Sequence, residues 1–320
     1  MTKPAIATSR KLPDGLVAGL ADFDLRQPAS EAEAGIDGLL ARAEGCAVVF
    51  GTAFDDLDAD FFARVPASVK LVASYGVGVD HIDLAAAKAK GVMVSNTPEV
   101  STPCLADTTM GLVIAAMRNF RKGLDVARTG VGRGLLDIGD WGLRVSGKTL
   151  GIVGMGNVGK ALARRASGFD MRVLHHTRTP SAEIEAETGS THVPLDQLLA
   201  ESDIVSLHCP LTPQTERMID AAAIASMKQS ATLINIARGP LVDETALLAA
   251  LNSGKLFAAG LDVFETEPGE IRKDLRDHPK VFCLPHIAST TFESRIQMAE
   301  RLIENIKGHV ETGEPRDRVI

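Results

Sequence analysis

An α/β fold of two parallel-sheet domains is what the 320-residue sequence predicts, and three observations carry it. From residue 148 to 284 short apolar runs suited to strands alternate with helical runs, the rhythm of a parallel sheet covered by helices on both faces. At the head of that segment, Gly147-Lys-Thr-Leu-Gly-Ile-Val-Gly-Met-Gly-Asn-Val-Gly-Lys160 reads as a strand, a tight turn and the start of a helix. A complete strand–helix–strand unit precedes it, so about the first 100 residues form a smaller α/β unit of their own.

Taken in order, residues 5–8 form a short strand and 45–50 (Gly-Cys-Ala-Val-Val-Phe) a clearer one, with helices over 16–25 and 35–43. Strand 69–74, the turn Tyr75-Gly-Val-Gly-Val79, helix 84–89 and strand 91–95 follow. Asn96-Thr-Pro98 breaks the pattern. Residues 105–120 carry Ala, Met, Leu, Val and Ile on most faces and predict a helix buried all round. The Gly-rich stretch 130–140 reads equally as an arm reaching another subunit or as a surface loop. Then come strand 150–153, helix 160–167, strand 171–174, helix 195–200, strand 203–207 and helix 221–227. Strand 231–236, helix 245–252 and strands 257–261 and 281–284 complete the alternation. A last helix over 291–310, with Ile296, Ala299, Ile303 and Ile306 at helical spacing, returns the chain to the first unit. The domains expected are 1–98 with 290–320, and 99–289.

Composition removes several classes of function. With 45% hydrophobic residues and a net charge of −7, the chain can bury sizeable cores but has no basic footprint for nucleic acid or an anionic membrane. Cys46, Cys104, Cys209 and Cys283 are too scattered for a disulfide framework or a zinc site, and no metal site is expected. No signal peptide is visible and no apolar run reaches about 18 residues, so a cytoplasmic location is expected.

Chemistry is sought at the carboxyl ends of strands, where open α/β sheets bind ligands. The triplet Gly154, Gly156 and Gly159 spells G-x-G-x-x-G. Its first Gly allows the turn, the second admits a pyrophosphate and the third packs helix on strand, leaving helix N–H groups facing the anion. Four further clusters follow strands. They are Ala237-Arg-Gly-Pro240, Asp262-Val-Phe-Glu-Thr-Glu-Pro268, Pro285-His-Ile-Ala-Ser-Thr290 and Tyr75-Gly-Val-Gly78. Singly they read as an exposed Arg, a solvated acidic loop, a core His and a turn. Together they supply a cation for a carboxylate, an acid partnered by a carboxylate, and backbone donors, the equipment for reducing a 2-oxo acid.

With these motifs in hand, the sequence resembles the D-isomer-specific 2-hydroxyacid dehydrogenase family over nearly its whole length, and within it the glyoxylate/hydroxypyruvate reductases. The resemblance rests on Ala73-Ser-Tyr-Gly-Val-Gly-Val-Asp-His-Ile-Asp83, Val94-Ser-Asn-Thr-Pro98, His208-Cys-Pro-Leu-Thr-Pro-Gln-Thr215 and the glycine segment. It rests equally on Ile234-Asn-Ile-Ala-Arg-Gly-Pro-Leu-Val-Asp243, Gly260-Leu-Asp-Val-Phe-Glu-Thr-Glu-Pro268 and Leu284-Pro-His-Ile-Ala-Ser289. It implies two Rossmann-like/flavodoxin-like domains with an interdomain cleft, a homodimer, and Arg238, Glu267 and His286 as the catalytic set. Arg238 would hold the substrate carboxylate and polarise the keto oxygen, and His286, oriented by Glu267, would protonate that oxygen as hydride arrives. Tyr75 and the backbone of Val77 and Gly78 would join Arg238 and His286 in binding substrate, with Phe54 a further candidate wall. Asp262 would bind the nicotinamide carboxamide. The remaining cofactor contacts implied are Thr102, Gly154, Gly156, Asn157, Val158, Gly159, Thr177, Arg178, Cys209, Pro210, Thr215, Ile236, Ala237, Arg238, His286 and Ala288. An alternative from another class is a non-catalytic NAD(H)-sensing, corepressor-like protein; within the enzymes, a bulkier 2-oxo acid such as phenylpyruvate is the competing substrate.

The choice of dinucleotide turns on the residues after strand 171–174, about 20 past the glycine triplet. The run is His175-His-Thr-Arg-Thr-Pro180, with Thr177 where an NAD-preferring relative carries an acid. No carboxylate repels a 2′-phosphate there, and a hydroxyl and a guanidinium can bind one, so NADP is expected over NAD. The competing reading is a dual-specificity site with Arg178 stacked on adenine.

Overall fold

The computed structural model describes residues 3–12, 14–130 and 141–320. The stretch expected as an arm or loop over 130–140 lies outside the described residues except for Gly130. The chain divides into two compact units, Met1–Ser101 with Thr291–Ile320, and Thr102–Thr290. The α/β class with two parallel sheets stands.

The first unit carries strands β1 (Ala5–Thr8), β2 (Asp24–Arg26), β3 (Val48–Thr52), β4 (Leu71–Tyr75) and β5 (Met93–Ser95). Among the described residues they form one all-parallel sheet in the order β2-β1-β3-β4-β5. Val48, Val49 and Phe50 are all buried although successive side chains point to opposite faces, so this sheet is covered on both sides. Leu39, Phe61, Phe62 and Val72 pack one face, and Ile6, Phe50, Leu302 and Ile306 the other. Asp58 and Asp83 fix where two covering helices, Ala59–Arg64 and Leu84–Lys90, begin, each accepting a backbone N–H three residues on at 2.9 Å.

Two expectations shift here. The helix expected over 16–25 is only Asp14–Gly19, and β2 follows at the sheet edge. A three-residue strand reading Asp-Leu-Arg, none of it fully buried, has no apolar run to betray it. The last helix, Phe292–Thr312, buries Ser294, Met298, Leu302, Asn305, Ile306 and His309, while Ile296 is exposed. Its inner stripe is part polar because Asn305 bridges two segments, donating to the Asn96 carbonyl at 2.8 Å and accepting from the Asp317 N–H at 2.7 Å. An apolar pattern cannot report such a face.

The second unit holds β6 (Thr149–Val153), β7 (Arg172–His176), β8 (Thr191–His192), β9 (Ile204–Leu207), β10 (Ala231–Asn235), β11 (Leu256–Leu261) and β12 (Val281–Cys283). The described strands run parallel in the order β12-β11-β10-β9-β6-β7-β8. Connections leave β6 in one direction and return beside it through β9, so the order reverses between those two strands. That is the place where such a sheet opens a crevice at its carboxyl end.

The buried helix expected over 105–120 is Thr102–Met117, and a second helix, Phe120–Arg128, begins at Asn119 with φ 55°. The first lies against the sheet so closely that a Cβ at Gly260 would come within 3.1 Å of the Leu112 Cβ. None of the residues of the second is buried. Among the described residues no helix is long and apolar enough to cross a membrane.

Candidate active site

The glycine turn sits at the carboxyl end of β6, at the switch point. Gly154 has φ 99°, and a Cβ there would stand 2.7 Å from the Cys209 nitrogen and the His208 carbonyl carbon, so only Gly lets this turn lie against the end of β9. A Cβ on Gly159 would meet the Gly154 oxygen at 2.3 Å, which is why helix Asn157–Ser167 can start so near its strand. Gly156, by contrast, has open space where its side chain would be and supplies no side-chain cap. The first-turn N–H groups of an eleven-residue helix, those of Asn157 and Val158 included, therefore lie beside an uncrowded backbone suited to a phosphate.

Beyond β7, Thr177 donates its hydroxyl to the Thr179 carbonyl at 2.9 Å. Arg178 is exposed and makes no hydrogen bond or ion pair among the described residues. His192, at the end of β8, reaches the Thr177 carbonyl with Nε2 at 3.1 Å, and so fixes the backbone of that turn. Its ring neighbours His175 and His176; burial, then the two other rings, hold His175 below its ordinary value. After β9, His208 bonds the Ser206 hydroxyl at 2.8 Å, and burial pushes its ring down to about 3. Cys209 is pushed up to about 11 by burial, an unreactive thiol against the Met218 sulfur at 3.6 Å. Thr215 closes the next turn on the Pro210 carbonyl at 2.7 Å.

The reacting groups expected from sequence hang on β10, β11 and β12. At the end of β10 the buried Asn235 folds the chain back. Its Oδ1 accepts from the Ala237 N–H at 3.0 Å and its Nδ2 donates to the Arg238 carbonyl at 2.8 Å. That turn, between buried Ile236 and half-buried Arg238, sets the guanidinium at the strand end. At the end of β11, Glu267 is held by the Phe264 N–H at 2.9 Å through Oε1, and its Oε2 lies 2.6 Å from His286 Nδ1. Each of this pair is about a quarter exposed, at 28% and 23% for the side chains of His286 and Glu267.

His286 itself has φ 54°, a left-handed backbone seldom adopted by a residue with a side chain. Asp262 explains how it is held. Fully buried, it accepts from the N–H groups of Ile287 and Ala288 at 2.8 Å each, and its carbonyl accepts from the His286 N–H at 2.8 Å. Burial pushes its carboxyl above the ordinary value, while the two N–H bonds pull the other way. On the far side, Thr108 donates to the Ala288 carbonyl at 3.1 Å.

In the first unit the turn after β4 is pinned by Asn96 on the Val77 carbonyl at 2.7 Å and by the Thr97 N–H on the Gly76 carbonyl at 2.9 Å. Among the described residues the N–H groups of Val77 and Gly78 have no acceptor. Tyr75 is half-buried, donates to the Arg295 carbonyl at 3.1 Å and lies 5.9 Å from that guanidinium; Phe54 is exposed. Thr102 opens the buried helix of the second unit, partly exposed. Residues the sequence reading gave no role are Asn235, Thr108 and His192. Only Asn235 had a visible signal, a polar residue closing an otherwise apolar strand directly before the Arg turn.

Known proteins resemble this chain over most of its length. The family model described as D-isomer specific 2-hydroxyacid dehydrogenase, NAD binding domain, matches residues 110–288. A glyoxylate reductase of Pyrococcus furiosus is 38% identical over 95% of this chain and 91% of its own. A glyoxylate/hydroxypyruvate reductase B of Erwinia tasmaniensis is 39% identical over 95% of each. Among solved structures, an NADPH-dependent glyoxylate/hydroxypyruvate reductase of Sinorhizobium meliloti, in complex with NADP and malonate, superposes with a TM-score of 0.88 at 30% identity over 99% of this chain and 97% of that one. The chain belongs to the D-isomer specific 2-hydroxyacid dehydrogenase family.

Proposed function

We propose that this protein reduces small 2-oxo acids of the glyoxylate and hydroxypyruvate type to D-2-hydroxy acids with NADPH. The observation that carries the reading is the Glu267–His286 pair at 2.6 Å, at a strand end next to the Arg238 turn. With Nδ1 engaged by the carboxylate, proton delivery falls to Nε2, which protonates the keto oxygen. Arg238 binds the substrate carboxylate and draws charge toward that oxygen, a task for a planar, permanently charged group. By the family resemblance the N–H groups of Val77 and Gly78 would be further donors to the carboxylate.

The nicotinamide ring supplies hydride when bound. Gly154, Gly156 and Gly159 fit its pyrophosphate, since a side chain at the first or third would collide with the backbone and the second borders open space. The absence of an acid at Thr177-Arg178, with Arg178 exposed and without an ion pair among the described residues, supports binding of the 2′-phosphate. Asp262 would reach the carboxamide through the lone pairs its two N–H partners leave. The unburied helix Phe120–Arg128, which exposes Phe120 and Leu124, supports a homodimer. We place the enzyme in the cytoplasm.

The test is NADPH oxidation with glyoxylate, hydroxypyruvate, pyruvate and phenylpyruvate, repeated with NADH. Turnover of glyoxylate and hydroxypyruvate with a higher kcat/KM for NADPH is expected, and His286→Ala and Arg238→Ala each abolish most of it while NADPH still binds. No turnover of any of the four would sink the substrate assignment, and an NADH preference would sink the cofactor assignment.

A further inference from the structure

The buried carboxylate of Glu244 takes no part in the chemistry above, yet it is only 3% exposed. It is not needed to cap its own helix, Glu244–Ser253. Asp243 does that, with Oδ1 accepting the N–H groups of Thr245 and Ala246 at 2.9 Å each. Instead Glu244 reaches across to another element, where its Oε1 accepts the Glu265 N–H at 2.9 Å. Glu265 returns the bond, its Oε1 accepting the Glu244 N–H at 3.4 Å. The groups facing the Glu244 carboxyl are Glu265, Arg272 and Asp274. Burial foremost, and the neighbouring Glu265 besides, hold it above the ordinary carboxylate range.

The peptide that Glu244 grips is an unusual one. On its face lies Gly239, so close that a Cβ there would stand 1.9 Å from the Phe264 carbonyl carbon and 2.5 Å from the Glu265 nitrogen. The same tight turn supplies the Phe264 N–H that holds Glu267 Oε1, and through Oε2 the imidazole of His286. The Phe264–Glu265 peptide is therefore a point at which the residue after Arg238 and the turn bearing Glu267 are in contact, and the Glu244 side chain holds it. We propose that Glu244 is a positioning residue that sets the Glu267–His286 pair against the Arg238 turn. The assignment rests on those three residues being the reacting set.

Two mild substitutions in the full-length enzyme separate reach from charge. Glu244→Asp keeps the charge and withdraws the oxygen by one methylene; Glu244→Gln gives up the charge and keeps an accepting oxygen at the same reach. If position is what Glu244 supplies, the Asp chain loses kcat by about 10- to 100-fold, the scale of a small misplacement of reacting groups. Its Kd for NADPH stays within about twofold, because the glycine turn stands on a separate strand, and the Gln chain keeps kcat within about twofold of wild type. A purely structural role would lower the melting temperature of both chains without separating kcat from Kd. Wild-type kcat in the Asp chain, or a Gln chain as impaired as the Asp chain, overturns the proposal. A wild-type chain inactive on every 2-oxo acid overturns the reading of the site and this assignment with it. With the wild type active and His286→Ala inactive, the Asp and Gln chains judge Glu244 alone.

Discussion

Replacing Asp262 by Asn is a near-isosteric change with a large expected effect. The carboxylate presents two acceptors to two donors, the N–H groups of Ile287 and Ala288, both at 2.8 Å, in a site with no solvent exposure. An amide presents one acceptor and one donor, so whichever way it turns, one backbone N–H faces an NH2 group. A buried donor left without a partner costs about 1–3 kcal/mol, and the surviving bond loses its charge assistance, so about 2–4 kcal/mol of stability should go. The loop those bonds hold carries His286 at φ 54°, a conformation about 1–2 kcal/mol above the right-handed one. With one tether gone that difference favours relaxation, and the imidazole leaves Glu267. We expect the Asn chain to lose roughly 2–4 kcal/mol in urea unfolding and kcat for glyoxylate reduction to fall by about 100-fold. NADPH binding, measured by fluorescence, should change less than kcat does. An Asn chain within about 0.5 kcal/mol of wild type and with unchanged kcat would refute the clamp.

Two other expectations concern stability and assembly. Burial holds His208 neutral down to about 3, whereas an unfolded chain takes up the proton near pH 6.5. The folded pKa is the lower one, so this contribution is intact above about pH 6.5 and is lost as pH falls, at about 1.4 kcal/mol per pH unit. In His208→Gln the fall in urea midpoint between about pH 6.5 and 5 should be shallower than in wild type; equal slopes would contradict the argument. If the exposed face of Phe120–Arg128 seats a second copy, Leu124→Glu should elute as a monomer in light-scattering chromatography where the wild type is a dimer, and a monomeric wild type would remove the premise.

What the sequence made legible follows from the physics of each signal. Buried parallel strands such as Val48–Thr52 and Ile204–Leu207 are dense apolar runs, and the positions of strands and of the Gly154, Gly156 and Gly159 turn follow from the local order of residues. Elements with little to bury stayed hidden: β2, the two-residue β8, and the polar helices Ala182–Thr188 and Lys273–Arg276. At the site, Glu267 and His286 could be paired only by resemblance, because 19 residues separate them and their 2.6 Å contact is set by adjacent strands. Glu244 stands one residue before the helix expected over 245–252 and carried no signal of its own. Its burial and its grip on Glu265 exist only once the helix and the acidic turn have been brought together. Asp262 was read as a ligand for the cofactor; its hold on the backbone after His286, one N–H to each oxygen, is a second task that no spacing in the sequence announces.

The strand order β12-β11-β10-β9-β6-β7-β8 has one more consequence. Neighbouring strands in a sheet lie about 4.8 Å apart, so their carboxyl ends form a graduated scale. Thr177 and Arg178 stand beyond β7, the glycine turn on β6, and Arg238, Glu267 and His286 two to four graduations to the other side, about 10–19 Å away. An extended dinucleotide laid along this edge with its pyrophosphate at β6 would bring its nicotinamide to Arg238, Glu267 and His286 only with its adenosine toward β8. The sheet thus works as a measuring rod with a polarity. If Arg238, Glu267 and His286 are the reacting groups, as proposed, they need no recognition of the cofactor's far end, because the spacing of the strands has already counted out the distance.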